Sequence, residues 1–289
     1  MMKKKVLSIA LISILALGAF TGCGKTDGSQ DAGTSTEATG SVVTAGSTSV
    51  QPLSEELAAA FMDANPGITV EVQGGGSGQG IKAVQEKIAD LGALSREVKD
   101  EEKASVTTEY VIAKDGVAVI VNPETNVENL TIEQIKKIYT GEITNWKEVG
   151  GDDAKIVVVS REEGSGTRGA FTEITKVTEK DAAGQEIDGT TKDALVQGSS
   201  GAVLQTVATT PNTIGYVSLG SLADTVKALN VENFAPTTET VLSGEYKISR
   251  PFLYAAGGEL SEAAQKYIDF VMSAEGQKIV EESGFIPVQ

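Results

Sequence analysis

An α/β fold follows from three features of the sequence. Short apolar runs such as Ile68-Thr69-Val70-Glu71-Val72 alternate with segments whose apolar residues recur at helical spacing. Turns rich in Gly, Ser and Thr repeatedly join the end of a run to the start of a helix. The roughly 250 residues that follow the N-terminal leader and tether exceed one domain of about 100–150 residues, so two lobes are expected.

The leader is read apart from the fold. Lys3-Lys4-Lys5 is a basic stretch, and Val6 to Phe20 is almost wholly apolar but too short for a comfortable membrane span. Phe20-Thr21-Gly22-Cys23 resembles a bacterial lipobox. That implies a signal peptide over 1–22, cleavage before Cys23 and a lipid on the only cysteine, which can form no internal disulfide. Residues 23–40 are rich in Ser, Thr, Gly and Asp without apolar periodicity, and read as a flexible tether.

Beyond the tether, Ser41-Val42-Val43-Thr44-Ala45 is a strand that runs into Gly46-Ser47-Thr48-Ser49-Val50. Leu53, Leu57, Ala60, Phe61 and Ala64 then mark a helix, ended by Asn65-Pro66-Gly67. The strand 68–72 leads through Gly74-Gly75-Gly76-Ser77-Gly78-Gln79-Gly80 to a helix over 81–89. A third short strand, 90–94, ends at Ser95-Arg96-Glu97. Residues 110–113 and 116–121 read as two apolar strands broken by Lys114-Asp115, and Asn122-Pro123 stops the second. Thr131-Ile132-Glu133-Gln134 is a capping box before a helix with Ile132, Ile135 and Ile138 on one face. Trp146, in the loop 140–151, is expected to be a packing anchor.

Lys155-Ile156-Val157-Val158-Val159 reads as a buried strand, followed by Arg161-Glu162-Glu163-Gly164-Ser165-Gly166-Thr167-Arg168 and a short helix over 170–174. Residues 180–192 are polar and irregular and are expected to form a surface excursion. A helix over 201–208, strands over 214–218, 226–229 and 251–255, and helices over 260–271 and 274–282 complete the chain. Ser283-Gly284 ends the last of them.

Composition narrows the chemistry. The chain has 289 residues, is 40% hydrophobic, and contains no histidine. Histidine-based triads, general bases and metal ligands are therefore excluded, and neither a metal nor a cofactor is expected. The formal net charge is −16; removing residues 1–22 takes away three lysines and no acids, leaving −19. That charge argues against nucleic acid and against a polybasic membrane patch. It also repels anions, so any anion site must rely on local dipoles and one or two arginines.

The turns are where such a site would lie. A helix N-terminus carries unpaired N–H groups and a partial positive charge, and so favours an anion. In 161–168, glycines allow close backbone approach, Ser165 and Thr167 add hydroxyls, and Arg161 and Arg168 add guanidinium donors. One such turn is also what an ordinary capped loop looks like. Four of them, placed where open α/β sheets bind ligands at the carboxyl ends of strands, make a constellation for a small tetrahedral oxyanion.

Gly46-Ser47-Thr48-Ser49-Val50, Gly74-Gly75-Gly76-Ser77-Gly78, Gly92-Ala93-Leu94-Ser95-Arg96-Glu97 and Arg161-Glu162-Glu163-Gly164-Ser165-Gly166-Thr167 occur in that order. Together they resemble the phosphate-binding subunits of bacterial phosphate ABC importers. Ile132 to Ile135, Gly141 to Trp146, and Ile214 to Ser218 resemble further stretches of that family, so the likeness spans nearly the whole mature chain. It implies a two-lobed type II periplasmic-binding-protein fold, each lobe a mixed sheet flanked by helices, with lobe 1 over 41–117 and 219–289 and lobe 2 over 118–218. It also implies a protein that is not an enzyme. Such a protein lies outside the cytoplasm, anchored through lipid on Cys23, and delivers inorganic phosphate to an ABC permease.

The family's ligand positions fall on Thr48, Ser49 and Ser77 in the first lobe, and on Arg161, Ser165, Gly166 and Thr167 in the second. Ser95 stands where some members carry an Asp that accepts the proton of hydrogen phosphate. A serine hydroxyl carries no charge to repel sulfate, so a receptor for sulfate or another oxyanion is the alternative. Arg168 either joins the ligands or pairs with Glu97 or Glu173, and Arg96 is left open in the same way. A serine hydrolase built on Ser165 would need a base that the sequence does not place near it.

Overall fold

The computed structural model describes residues 39–289. The leader and Cys23 lie outside the described residues, as does the tether apart from Thr39 and Gly40.

The chain runs β1 (Gly40–Gly46), α1 (Gln51–Ala64), β2 (Ile68–Gly74), α2 (Ser77–Gln85), β3 (Leu91–Leu94) and β4 (Thr108–Val121). It continues through β5 (Asn129–Leu130), α3 (Ile132–Thr140), β6 (Val157–Arg161), α4 (Gly166–Thr175), β7 (Thr178–Lys180), β8 (Glu186–Asp188), β9 (Leu195–Gln197) and α5 (Ser200–Thr209). It ends with β10 (Thr213–Ser218), β11 (Lys227–Ala228), β12 (Asn230–Val231), α6 (Thr238–Leu242), β13 (Ser249–Ala256), α7 (Glu262–Val271) and α8 (Ala274–Glu282). The α/β alternation read from the sequence is present, interrupted by the strand runs β3–β5, β7–β9 and β10–β12.

One long strand organises the molecule. The main sheet has the order β2-β1-β3-β13-β4-β10-β6-β9. On one side of β4, β1 pairs parallel with both β2 and β3, and β13 is inserted antiparallel between β3 and β4. On the other side, β10 pairs antiparallel with β4 and parallel with β6, which pairs parallel with β9. The exchange falls within β4: Gly116 faces Ser249 of β13, whereas Val117 faces Ser218 of β10.

Two hydrophobic clusters sit on either side of that exchange. The first joins Val42, Leu53, Leu57, Phe61, Tyr254, Tyr267 and Val280. The second joins Val117, Val119, Ile135, Ile138, Trp146, Phe171 and Tyr216. In the second, Phe171 stacks on Tyr216 with ring centroids 4.1 Å apart, and Tyr139 meets Phe171 edge-on at 4.8 Å. Trp146 is buried and donates its indole N–H to the Asn212 carbonyl at 3.1 Å, the anchoring role expected of it.

Several expectations are corrected. Lys114-Asp115 does not interrupt β4, because Asp115 points into a buried pair with Arg250, its cross-strand neighbour in β13. Arg250 Nη2 lies 2.8 Å and Nε 3.3 Å from Asp115 Oδ2, while Asp115 Oδ1 accepts the Leu219 N–H at 3.2 Å. The return to the first lobe falls at Ser249 rather than at 219. Leu229, Val231, Val241, Tyr246 and Ile248 all pack in the second cluster, and β11 pairs with β4 at Val121 and Ile120. The surface excursion at 180–192 contains half of the β7–β8 hairpin. The edge strand β9 and the short helix α6 went unread in the sequence.

Candidate functional site

Four helix N-termini converge where the lobes meet. In the first lobe, β1 ends in the turn Ser47-Thr48-Ser49-Val50 that opens α1, and β2 ends at Gly74 before Gly75-Gly76 opens α2. In the second, β6 ends at Arg161 before the turn that opens α4, and β9 ends at Gln197 before Gly198-Ser199 opens α5. Gly76 adopts φ 96°, a left-handed conformation that glycine tolerates, and it starts α2 at Ser77, four residues earlier than the sequence suggested. Ser165 caps α4 by accepting the Arg168 N–H, and Ser199 caps α5 by accepting the Ala202 N–H.

The hydroxyls at these turns form one buried cluster. Ser49 Oγ lies 2.7 Å from Thr167 Oγ1 and 3.0 Å from Ser200 Oγ, which ties the first lobe to two helices of the second. The Ser49 N–H donates to Ser47 Oγ at 3.2 Å, and Ser47 Oγ donates to Ser95 Oγ at 2.8 Å. Ser77 Oγ accepts the Ser95 N–H at 3.1 Å. Ser49, Ser77 and Ser95 are fully buried, and Ser47, Thr167 and Ser200 nearly so. The turns also meet through their backbones, since Gly78 N–H donates to the Gly164 carbonyl at 3.0 Å.

Arg161 is the cation of this cluster. Its Nη1 donates to Ser200 Oγ at 3.1 Å and its Nη2 to Thr48 Oγ1 at 3.0 Å. Its other face takes Glu162 in a fork, Nε to Oε2 at 2.9 Å and Nη2 to Oε1 at 2.8 Å. The guanidinium is buried and its charge is locally offset. Below it, the Tyr216 hydroxyl accepts the Arg161 N–H at 3.3 Å and lies 2.9 Å from Ser160 Oγ; burial pushes the Tyr216 phenol up to about 12, so it stays protonated.

Of the residues marked in the sequence, Thr48, Ser49, Ser77, Ser95, Arg161 and Thr167 join this hydrogen-bonded network. Gly166 packs against it: a Cβ there would stand 2.7 Å from Ser95 Oγ and closer still to Ser77 Oγ. Ser165 is buried at the head of α4, but the structure shows its hydroxyl as a helix cap. Arg168 pairs with neither Glu97 nor Glu173. Its Nε meets Asp188 at 2.6 Å and its Nη1 donates to the Arg161 carbonyl at 2.7 Å, so it braces Arg161 from behind. Arg96 is engaged by Glu102 through two 2.7 Å bonds. Ser47 and Ser200 were missed. The signal for Ser200 was present in Gly198-Ser199-Ser200-Gly201, the same hydroxyl-and-glycine turn seen at the other helices, but the strand before it is only three residues long.

A cluster of donors at four positive helix ends, around one guanidinium and without a cluster of metal-ligating side chains among the described residues, is suited to an anion rather than a cation. Fold and site together define the class: a two-lobed solute-binding protein with its site between the lobes. A family model described as "PBP superfamily domain" matches residues 32–275. The phosphate-binding protein PstS of Bacillus subtilis is 35% identical over an alignment covering 99% of this chain and 95% of that protein. PstS of Borreliella burgdorferi is 33% identical, covering 84% and 88%. Among solved structures, a Clostridium perfringens ABC transporter substrate-binding protein with bound phosphate matches with a TM-score of 0.81 and 44% identity, over 86% of this chain and all of that one. The chain belongs to the PBP superfamily and, within it, to the PstS family of phosphate-binding proteins.

Proposed function

We propose that the protein captures inorganic phosphate between its lobes and hands it to an ABC permease for import. The observation that carries this reading is the convergence of Ser49, Thr167, Ser200 and the buried Arg161 guanidinium at the meeting of both lobes. Phosphate is the oxyanion named for the relatives at 33% and 35% identity, and it is bound in the C. perfringens structure. Thr48, Ser49, Ser77 and Ser95 hold the anion from the first lobe, and Arg161, Ser165, Gly166 and Thr167 from the second. Their hydroxyls and N–H groups replace its hydration shell, so the hydrogen bonds gained are offset by dehydration and by ordering of the lobes. Closure turns about the two crossings, at Gly116/Val117 and Ile248/Ser249, where the chain passes between lobes.

The protein acts outside the cytoplasm, held to the membrane by lipid on Cys23 and the tether, which keeps it near the permease. Among the described residues no helix is long and apolar enough to cross a membrane. The hydrolase alternative is weakened by Ser165 itself, whose hydroxyl accepts the Arg168 N–H as a helix cap.

Calorimetric titration with phosphate tests the reading, with sulfate as competitor. Arg161→Ala removes two charge-assisted donors to the cluster. At roughly 1.5–3 kcal/mol each they predict binding weaker by about a hundredfold or more. Unchanged affinity in that variant, or sulfate competing at equal concentration, overturns the assignment.

A further inference from the structure

We propose that Ser200, at the first position of α5, is a direct ligand of the anion and makes α5 a second gripping element of the second lobe. The inference rests on the oxyanion reading above and deepens it. Ser200 is 4% exposed, and its Oγ bonds to both Arg161 Nη1 and Ser49 Oγ. Its own N–H points to Thr48 Oγ1 at 3.3 Å. Side chain and backbone of Ser200 together therefore meet three residues of the site, from both lobes.

Hydrogen-bond direction fixes what the hydroxyl does. A guanidinium only donates, so Ser200 Oγ accepts from Arg161, and its own proton is left to point at Ser49 or at a ligand oxygen beside it. In α4 one serine, Ser165, caps the helix by accepting the Arg168 N–H and keeps its proton for the cleft, whereas in α5 the cap falls to Ser199, which accepts the Ala202 N–H at 3.1 Å. Division of labour between two adjacent serines frees the second one for the cleft. Ser200 thus presents a donor already polarised by Arg161, next to the N-terminal N–H groups of a ten-residue helix. The ligand it fits is an oxyanion oxygen shared with Arg161. Since it donates, it binds protonated and fully ionised anions alike.

The two serines separate the roles experimentally. Phosphate titrations and thermal unfolding are measured on the full chain, wild type, Ser200→Ala and Ser199→Ala. Ser200→Ala is expected to weaken phosphate binding by about tenfold or more, and to lower the ligand-free unfolding temperature by a few degrees because Arg161 Nη1 loses its buried partner. Its affinity-versus-pH curve drops without changing shape. Ser199→Ala is expected to lower the unfolding temperature by about 2–4 °C through loss of the cap, with affinity within about twofold of wild type. Affinity within about twofold of wild type in Ser200→Ala overturns the inference while leaving the phosphate reading intact. A changed pH profile overturns the donor role. Failure of the wild type itself to bind phosphate overturns the parent reading and this one with it.

Discussion

Replacing Arg250 by Met is the sharpest test of how the two lobes are joined. Arg250 and Asp115 are 3% and 1% exposed, and the pair lies one residue from each crossing between lobes. Arg250→Met leaves the Asp115 carboxylate buried with the Leu219 N–H at 3.2 Å as a donor. Breaking a buried pair by removing one partner costs about 3–5 kcal/mol. At about 2–4 °C per kcal/mol, the unfolding temperature should fall by roughly 6–20 °C. Burial already raises the Asp115 carboxyl, with Arg250 opposing that rise. Without Arg250 the folded-state value climbs further above the unfolded one, so the carboxyl favours folding when protonated and opposes it as pH rises. The deficit of Arg250→Met should therefore shrink between pH 7 and pH 5. Adding Asp115→Asn should recover much of the loss, because no buried charge remains while the amide oxygen still meets Leu219. Calorimetric unfolding of the wild type and the two variants against pH measures this. A loss below about 1 kcal/mol, or a deficit that does not change with pH, would refute the reasoning.

Two further outcomes follow from other contacts. Gly166→Ala places a methyl group against the buried hydroxyls of Ser77 and Ser95, so that these or the turn must shift to admit it; phosphate should bind more weakly and the radius of gyration with phosphate should exceed that of wild type, and equal values would remove Gly166 from the site. Burial would raise the Glu102 carboxyl, but its two bonds from Arg96 and one from the Lys99 N–H outweigh that and hold it below its ordinary 4.5. Its stabilising contribution is therefore present above that value and lost as pH falls below it. Acid unfolding of Glu102→Gln should be flatter in that range, and an unchanged acid limb would show that the pair contributes nothing.

Much of this was legible in the sequence because it is written locally. Apolar periodicity gave the helices of both cores, and the recurring Gly-Ser-Thr turns placed Thr48, Ser49, Ser77 and Thr167 at helix starts. What was missed depends on distant partners. Lys114-Asp115 reads as a break because charge inside an apolar run is usually exposed, and only Arg250, 135 positions away, makes Asp115 a buried strand residue. Likewise, no local feature of 219–248 says which core it joins; Tyr246 decides it by donating to the Val117 carbonyl at 2.8 Å across the second lobe. Arg168, left open between the ligands and a pairing with Glu97 or Glu173, is instead claimed by Asp188 on the β7–β8 hairpin, a partner 20 positions away that its local sequence does not announce.

The place of β13 between β3 and β4 has a consequence for how the chain assembles. β3 ends at Leu94 and β4 at Val121, yet the strand that bonds to both begins only at Ser249. As the polypeptide emerges from its N-terminus, the second lobe has all its strands before the first has its centre. The earlier lobe must wait with two unjoined sheet edges, and contacts of such long sequence separation slow its closure. Folding is thus expected to proceed from the inserted lobe outward, with the last forty residues acting as the keystone of the first. A chain cut before Ser249 would keep β1 paired with β2 and β3 behind the turns of Thr48 and Ser77, but would leave that small sheet unjoined to β4 and the second lobe.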